Sequence, residues 1–237
     1  MNDTEFDHAL LTAAFDQAAL TGWRSLSIVE AARSADLPLD RARTRFPGPA
    51  AVLLRFGLMA DQAALVDIPI EPLARDRLFD LLMRRFDTLQ QHRDGVLALL
   101  RDLPFDPGLA LLLSGATLRS MAWLLEAAGV SAQGFRGKLR AQGLVAVWLY
   151  ALRAWKDDSS PDLSGTMAAL DKALDRAEQA SGTLGDRAAP GDDLPADLVV
   201  VDLGEDAGVP PDVLTDPTDA EFNPPPPPAP EPPSSAI

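Results

Sequence analysis

The chain contains no cysteine among its 237 residues, and only two histidines and one tyrosine. Without cysteine there is no disulfide, no thiolate metal site and no cysteine nucleophile. His8 and His92 lie far apart in sequence and neither has a ligand-spaced partner, so no metal site is expected. Also missing are a glycine-rich phosphate loop, a Gly-x-Ser-x-Gly elbow and a His-Glu-x-x-His pair. The expectation is therefore a non-enzyme that needs no cofactor. No uninterrupted apolar run approaches the roughly 20 residues of a bilayer span. The opening MNDTEFDH is acidic and polar, unlike a signal peptide, so the expected location is the cytoplasm.

Basic charge is scarce overall, with a net charge of −14, but the deficit is local. From Asp186 onward the sequence holds twelve acidic residues and one basic residue, Arg187. Met1 to Gly185 is nearly neutral, at −3. The whole-chain charge argues against general nucleic-acid affinity without excluding a local basic patch. Asp157 and Asp158 form a carboxylate pair, read as solvated at a helix end beside Lys156. Arg77, Asp80, Arg84 and Asp87 have the spacing of surface ion pairs along a helix.

Three regions are expected: a helical head over 1–66, a helical body over 70–180, and a tail over 181–237. Thirteen of the 21 prolines lie in the tail, whose composition predicts a disordered, polyproline-like segment with one apolar island, Leu198 to Leu203. The body reads as successive amphipathic helices. Leu73, Leu78, Leu81, Leu82, Phe86 and Leu89 recur near helical spacing, and a further helix after them stops at Pro104. Asp106 and Pro107 open another, which ends at Gly129. Leu144, Trp148, Ala151 and Trp155 share a face of the next, and Met167, Leu170, Leu174 and Ala177 a face of the last. No alternating strand pattern precedes the tail. The fold class is all-α, with a small head on a helical-bundle body.

The head has three helices over "LLTAAFDQAALTGWRSLSIVEAARSADLPLDRARTRFPGPAAVL" (Leu10 to Leu53). The first stops at Gly22, and Trp23 plugs the core. Ser27 caps the second, with Glu30 completing a capping box. A turn through Asp36 and Leu37 leads to the third, ended by Phe46-Pro47. Order and spacing resemble the helix-turn-helix domain of the tetracycline-repressor (TetR) family, on Ala13, Ala14, Gly22, Trp23, Ser27, Ile28, Ala32, Ala35, Leu37, Phe46 and Pro47. That resemblance implies a homodimer that pairs through its last two body helices (here Phe135 to Lys156 and Leu163 to Ala180), a ligand in the body, and DNA on the third helix. The departures weaken the DNA part. The family's turn glycine is Asp36. Its third-helix small polar residue, Gly, Thr or Ala, and Tyr are Pro38, Asp40, Arg41 and Arg43, and its phosphate-contacting Lys is Pro49. Arg41, Arg43 and Arg45 are the basic residues left to meet a phosphate backbone, and Asp40 opposes its approach.

The block "WKDDSSPDLSGTMAALDKAL" resembles the C-terminal domain of the coenzyme Q biosynthesis protein nine family, on Trp155, Asp158, Ser160, Pro161, Asp162, Thr166, Ala168 and Leu170. "FPGPAAVLLRF" is similar to that family's version of the head. The resemblance implies a TetR-like fold, an isoprenoid or other apolar lipid held in the body, a hydroxylase partner in ubiquinone synthesis, and transient contact with the inner membrane. The family's eukaryotic members engage membranes through an extra C-terminal helix, whose place is taken here by the acidic tail. From the apolar stretches of the body, Leu113, Met121, Trp123, Leu144, Trp148 and Trp155 are the expected pocket or core residues. The expected function is a non-enzymatic lipid-binding accessory protein of ubiquinone synthesis. The alternative is a ligand-responsive, DNA-binding TetR-type transcriptional regulator.

Overall fold

Local sequence signals set the helix boundaries. In a computed structural model, residues 1–66 and 73–187 are described, with side chains to Ala180. The tail beyond Arg187, including Leu198 to Leu203, lies outside the described residues. Helix α1 (Asp3–Thr21) starts at Asp3 rather than Leu10, because Asn2 and Glu5 form a reciprocal capping box with two 2.8 Å bonds. Gly22, at φ +82°, ends it, where a Cβ would come within 2.9 Å of the Asp102 carboxylate. After one 3-10 turn (Trp23–Ser25), Ser27 caps α2 (Ile28–Ser34). The expected box is half made there. Ser27 Oγ accepts from Glu30 N, while the Glu30 carboxylate accepts from Gln17 Nε2 at 2.9 Å. Asp36 turns the chain at φ +51° into α3 (Leu39–Arg45). Helix α4 (Pro49–Leu65) carries proline in its first turn, where an N–H is dispensable.

The body comprises α5 (Ala74–Gln91), α6 (Arg93–Asp102), a 3-10 turn (Leu103–Phe105), α7 (Pro107–Ala127), α8 (Gly134–Asp157) and α9 (Ser164–Arg187). Asp106 caps α7 by accepting from Leu109 N at 2.9 Å. Gly129 follows the end of α7 at φ +79°. Helix α9 runs past Ser181, where the tail was expected to begin. No strand occurs among the described residues.

Head and body share one contiguous core running from Phe6 to Leu174. Helix α6 lies against α1 so closely that a Cβ on Gly95 would come within 2.7 Å of the Phe15 ring. Trp23 fills more than the head, since its indole N–H donates to Gly95 O at 2.8 Å and its backbone N–H to Asp102 at 2.7 Å. The residue that closes the head therefore also fastens it to α6. Arg77 donates to Ala128 O at the end of α7, and Arg84 to Val66 O at the end of α4. These arginines, spaced for ion pairs along their own helix, satisfy the orphan carbonyls of other helices.

Candidate functional site

Helix α3 is the element that would enter a DNA groove. Its buried side is Ala42, backed by Phe46, and its exposed side carries Leu39, Asp40, Arg43 and Thr44. Arg41 and Arg45 are half-buried and engaged by acids of α1. Arg45 grips the buried Asp7 of α1 with two parallel bonds, Nε to Oδ1 at 2.5 Å and an Nη to Oδ2 at 2.7 Å, and also donates to Asp3 at 2.9 Å. Arg41 pairs with Asp3 and lies 4.4 Å over the Phe6 ring. Arg55 of α4 completes the cluster at 2.8 Å from Asp7. Burial opposes ionisation of Asp7, but the hydrogen bonds and charge of Arg45, with Arg55, prevail and hold its pKa below the ordinary value. Arg43 donates to Pro47 O at 3.0 Å along the exposed side. Of the three expected phosphate contacts, two are engaged by the acids of α1, so the free charge on this surface is close to Arg43 against Asp40. The acids that neutralise them sit in the MNDTEFDH segment.

The structure separates the six expected body residues. Met121, Leu144, Trp148 and Trp155 are buried, and Leu113 is half-buried. Phe86 stacks on Trp148 at 4.4 Å and on Trp155 at 6.4 Å between ring centroids. Trp123 departs from the expected interior position: it is 69% exposed. The inward stripe of α7 is Met121, Leu124, Leu125 and Ala128, and Trp123 falls between its members. A polar cluster, unanticipated from sequence, lies beside the aromatic stack. Arg85, Asp61 and Ser120 hydrogen-bond in a closed set across α5, α4 and α7, with the guanidinium 4.9 Å from the Trp148 ring. Burial pulls Arg85 down from its ordinary pKa and Asp61 opposes that pull; a guanidinium stays charged through such a shift. Its Nε has no hydrogen-bond partner.

Two clefts flank the body. One of about 390 Å³ lies where the head meets α6 and α7, lined by Trp23, Arg24, Pro49, Asp102, Leu109 and Leu112 among others. The other, about 330 Å³ and open, is lined by Ala122, Trp123, Glu126 and Ala132. Neither touches Trp148 or Trp155. Helix α7 is long and apolar enough to cross a membrane by length and composition, though the sequence showed no unbroken run. Gly, Ala, Ser and Thr interrupt its leucines visually without adding charge.

The Trp155 to Leu170 block builds the α8–α9 corner. The Asp158 carboxylate accepts from Ser160 N at 3.0 Å, from Ser160 Oγ, and from Thr166 N and Oγ1 at 2.7 and 2.8 Å. These bonds, the Ser160 hydroxyl foremost, hold its pKa well below the usual carboxylate range. Asp158 is therefore a corner clamp rather than the solvated acid its position suggested. Trp155 Nε1 donates to Gln90 at 3.0 Å, and Arg93 stacks 4.7 Å over the Trp155 ring while donating to Asp158 O at 2.8 Å. Among the described residues no group of three or more acidic or His side chains could hold a metal ion.

No family profile and no curated protein matches the chain. Solved structures do match. A TetR transcriptional regulator from Nitrosomonas europaea superposes with a TM-score of 0.60 at 20% identity, over 73% of this chain and 98% of that one. Salmonella enterica GusR gives 0.52 at 18% identity, over 76% and 98%. A TetR regulator from Rhodococcus sp. RHA1 gives 0.51 at 15% identity, over 75% and 97%. The fold is TetR-like: a helix-turn-helix head on an all-α body.

Proposed function

We propose that this protein is a non-enzymatic, ligand-binding member of the TetR-like fold whose head does not grip DNA in the conventional way. The apolar ligand is of isoprenoid type, held by the body in support of a hydroxylase in ubiquinone synthesis. The observation that carries the DNA part is the pairing of Arg41 and Arg45 with Asp3 and Asp7. Phosphate contacts set the position of a reading helix, and a helix with one arginine outside an ion pair, beside an aspartate, is poorly equipped to make them. The aromatic stack of Phe86, Trp148 and Trp155 packs as core and neither cleft reaches it, so the ligand part rests on the family resemblance. The ubiquinone part rests on the Trp155 to Leu170 resemblance.

A second reading, a ligand-responsive transcriptional regulator acting as a homodimer, is favoured by the comparisons. The similar solved structures include several described as TetR regulators, and at the level of fold they support this reading better than the first. One sample separates the two. Native mass spectrometry of protein purified from its host should retain an isoprenoid adduct, and a footprint on the gene's own upstream region at physiological salt should be blank. A protected palindrome that is lost in Arg43→Ala overturns the first reading and establishes the second.

A further inference from the structure

The two histidines, far apart in sequence, meet where the head joins the body. His92 is the single residue between α5 and α6, and it is half-buried against the head. Between ring centroids, Phe15 of α1 lies 5.1 Å from it, and Phe56 of α4 lies 5.6 Å away, edge to face. The ring of His8, an exposed residue of α1, stands 6.4 Å from it. Phe15 in turn packs on Trp23 at 4.9 Å. One chain of rings thus runs from His8 through His92 and Phe15 to the indole that fastens the head to α6. The joint has no slack, because Gly95 of α6 already lacks room for a Cβ against Phe15.

We propose that His92 and His8 form a proton-operated latch between head and body: neutral imidazoles hold α6 on α1, and charged ones release it. An imidazolium at His92 gives up water to the phenylalanine rings on two sides. Attraction of the charge to ring faces returns only part of that hydration. A second positive ring on His8 repels it from within the screening length. The exposed Asp16 of α1 opposes both effects. On the other elements, Arg55 of α4 is paired with Asp7, and the last residues of α5, Leu89, Gln90 and Gln91, are uncharged. On α6, Arg93 turns to the α8–α9 corner and Asp94 is exposed. Burial first and His8 second hold the His92 pKa below its unfolded value of 6.5, against Asp16. The neutral ring's contribution is therefore complete above that pH and is lost as pH falls through the folded value. Both functional readings contain this joint, and neither assigns its histidines.

With only two histidines, imidazole proton NMR of the full-length protein gives two titration curves, assigned by His8→Asn and His92→Phe. Expected is a His92 midpoint below the ordinary value that rises in His8→Asn. Hydrogen exchange, corrected for its intrinsic pH dependence, reads the latch between about pH 7.5 and about pH 5, above the range in which carboxylates titrate. Amides of α6 should lose protection by up to about tenfold per pH unit for each proton taken up. Amides at the centres of α8 and α9 should keep theirs. The His92 side chain makes no capping bond to α6, so His92→Phe removes the proton site and keeps a ring in the cage. That variant should hold α6 protection level across the range. His8→Asn should make the loss smaller, and because His8 is exposed this variant tests the latch even if His92→Phe misfolds. Circular dichroism melts show which variants are folded. A His92 midpoint at or above the ordinary value, or one unmoved in His8→Asn, overturns the proposal. So does level α6 protection in the wild type, or an undiminished loss in a folded His92→Phe. Opening of α8 and α9 in step with α6 also overturns it, since acid would then be unfolding the whole chain.

Discussion

Asp36 shows a single residue setting local geometry against its own preference. It sits at φ +51° in the helix-turn-helix turn, a region that L-residues with a Cβ enter at a cost and glycine enters freely. Aspartate tolerates it better than most, and glycine loses more freedom on folding, so the two effects partly offset. Asp36→Gly should raise stability by about 0.5 kcal/mol in urea melts. A loss of stability would mean that the aspartate contributes something the backbone angle does not reveal. Trp148 and Trp123 make a second contrast at this scale. Trp148 is buried under Phe86 and Arg85, so Trp148→Ala should cost about 3–5 kcal/mol as a large-to-small core change. Trp123→Ala should stay within about 0.5 kcal/mol, as surface changes do. If both lose stability equally in denaturant melts, Trp123 is covered in solution.

Among the helices, what was legible in the sequence was whatever local chemistry decides. Ser27, Asp106-Pro107, Gly22 and Gly129 mark ends that the structure places at or next to the same residues, because caps and positive-φ positions depend on neighbours a few residues away. What the arginines do was not legible. Arg45 meets Asp7, Arg75 meets Asp171 and Asp175, and Arg85 meets Asp61, all on other helices. Sequence spacing offers only partners on the same helix, so Arg77 and Arg84 were read as local ion pairs, whereas their guanidiniums reach the ends of α7 and α4. The α8–α9 corner gives a prediction at this scale. Asp158→Ala removes bonds to Ser160 and Thr166 and should cost about 1–2 kcal/mol, in the range of a lost cap. Its folded pKa lies below the unfolded value of 3.8, so its contribution is complete above that pH and is lost as pH falls below it. Wild type and Asp158→Ala should therefore converge in stability as pH drops under about 4, in paired thermal melts across pH. A difference that persists undiminished at low pH would show that packing, rather than the carboxylate, holds the corner.

For the whole molecule, the fold was legible and the surface was not. A helix-turn-helix order and a few small and aromatic residues suffice to specify the TetR-like arrangement, which holds against solved structures at about a fifth identity. Which faces remain open is decided by how helices pack, and no periodicity announced that Trp123 would stand outside while Arg41 and Arg45 paired with the acids of α1. The state of those arginines is the property on which the two functional readings divide, and Asp3 gives access to it. Its side chain is 66% exposed, so Asp3→Asn should leave the fold nearly unchanged while releasing Arg41 and loosening one contact of Arg45, with Asp7 still holding that residue. On random duplex DNA, wild type should bind weakly, with a salt slope near the roughly 0.9 of a single phosphate contact. Asp3→Asn should bind more tightly at low salt and steepen the slope by about one further contact, measured by fluorescence anisotropy across 25–200 mM salt (a range in which counterion release dominates). An unchanged slope would mean that Arg41 does not meet phosphate even when released. A wild-type slope already equal to three contacts would mean that the arginines leave Asp3 and Asp7 for DNA, and the head would then be a working reader.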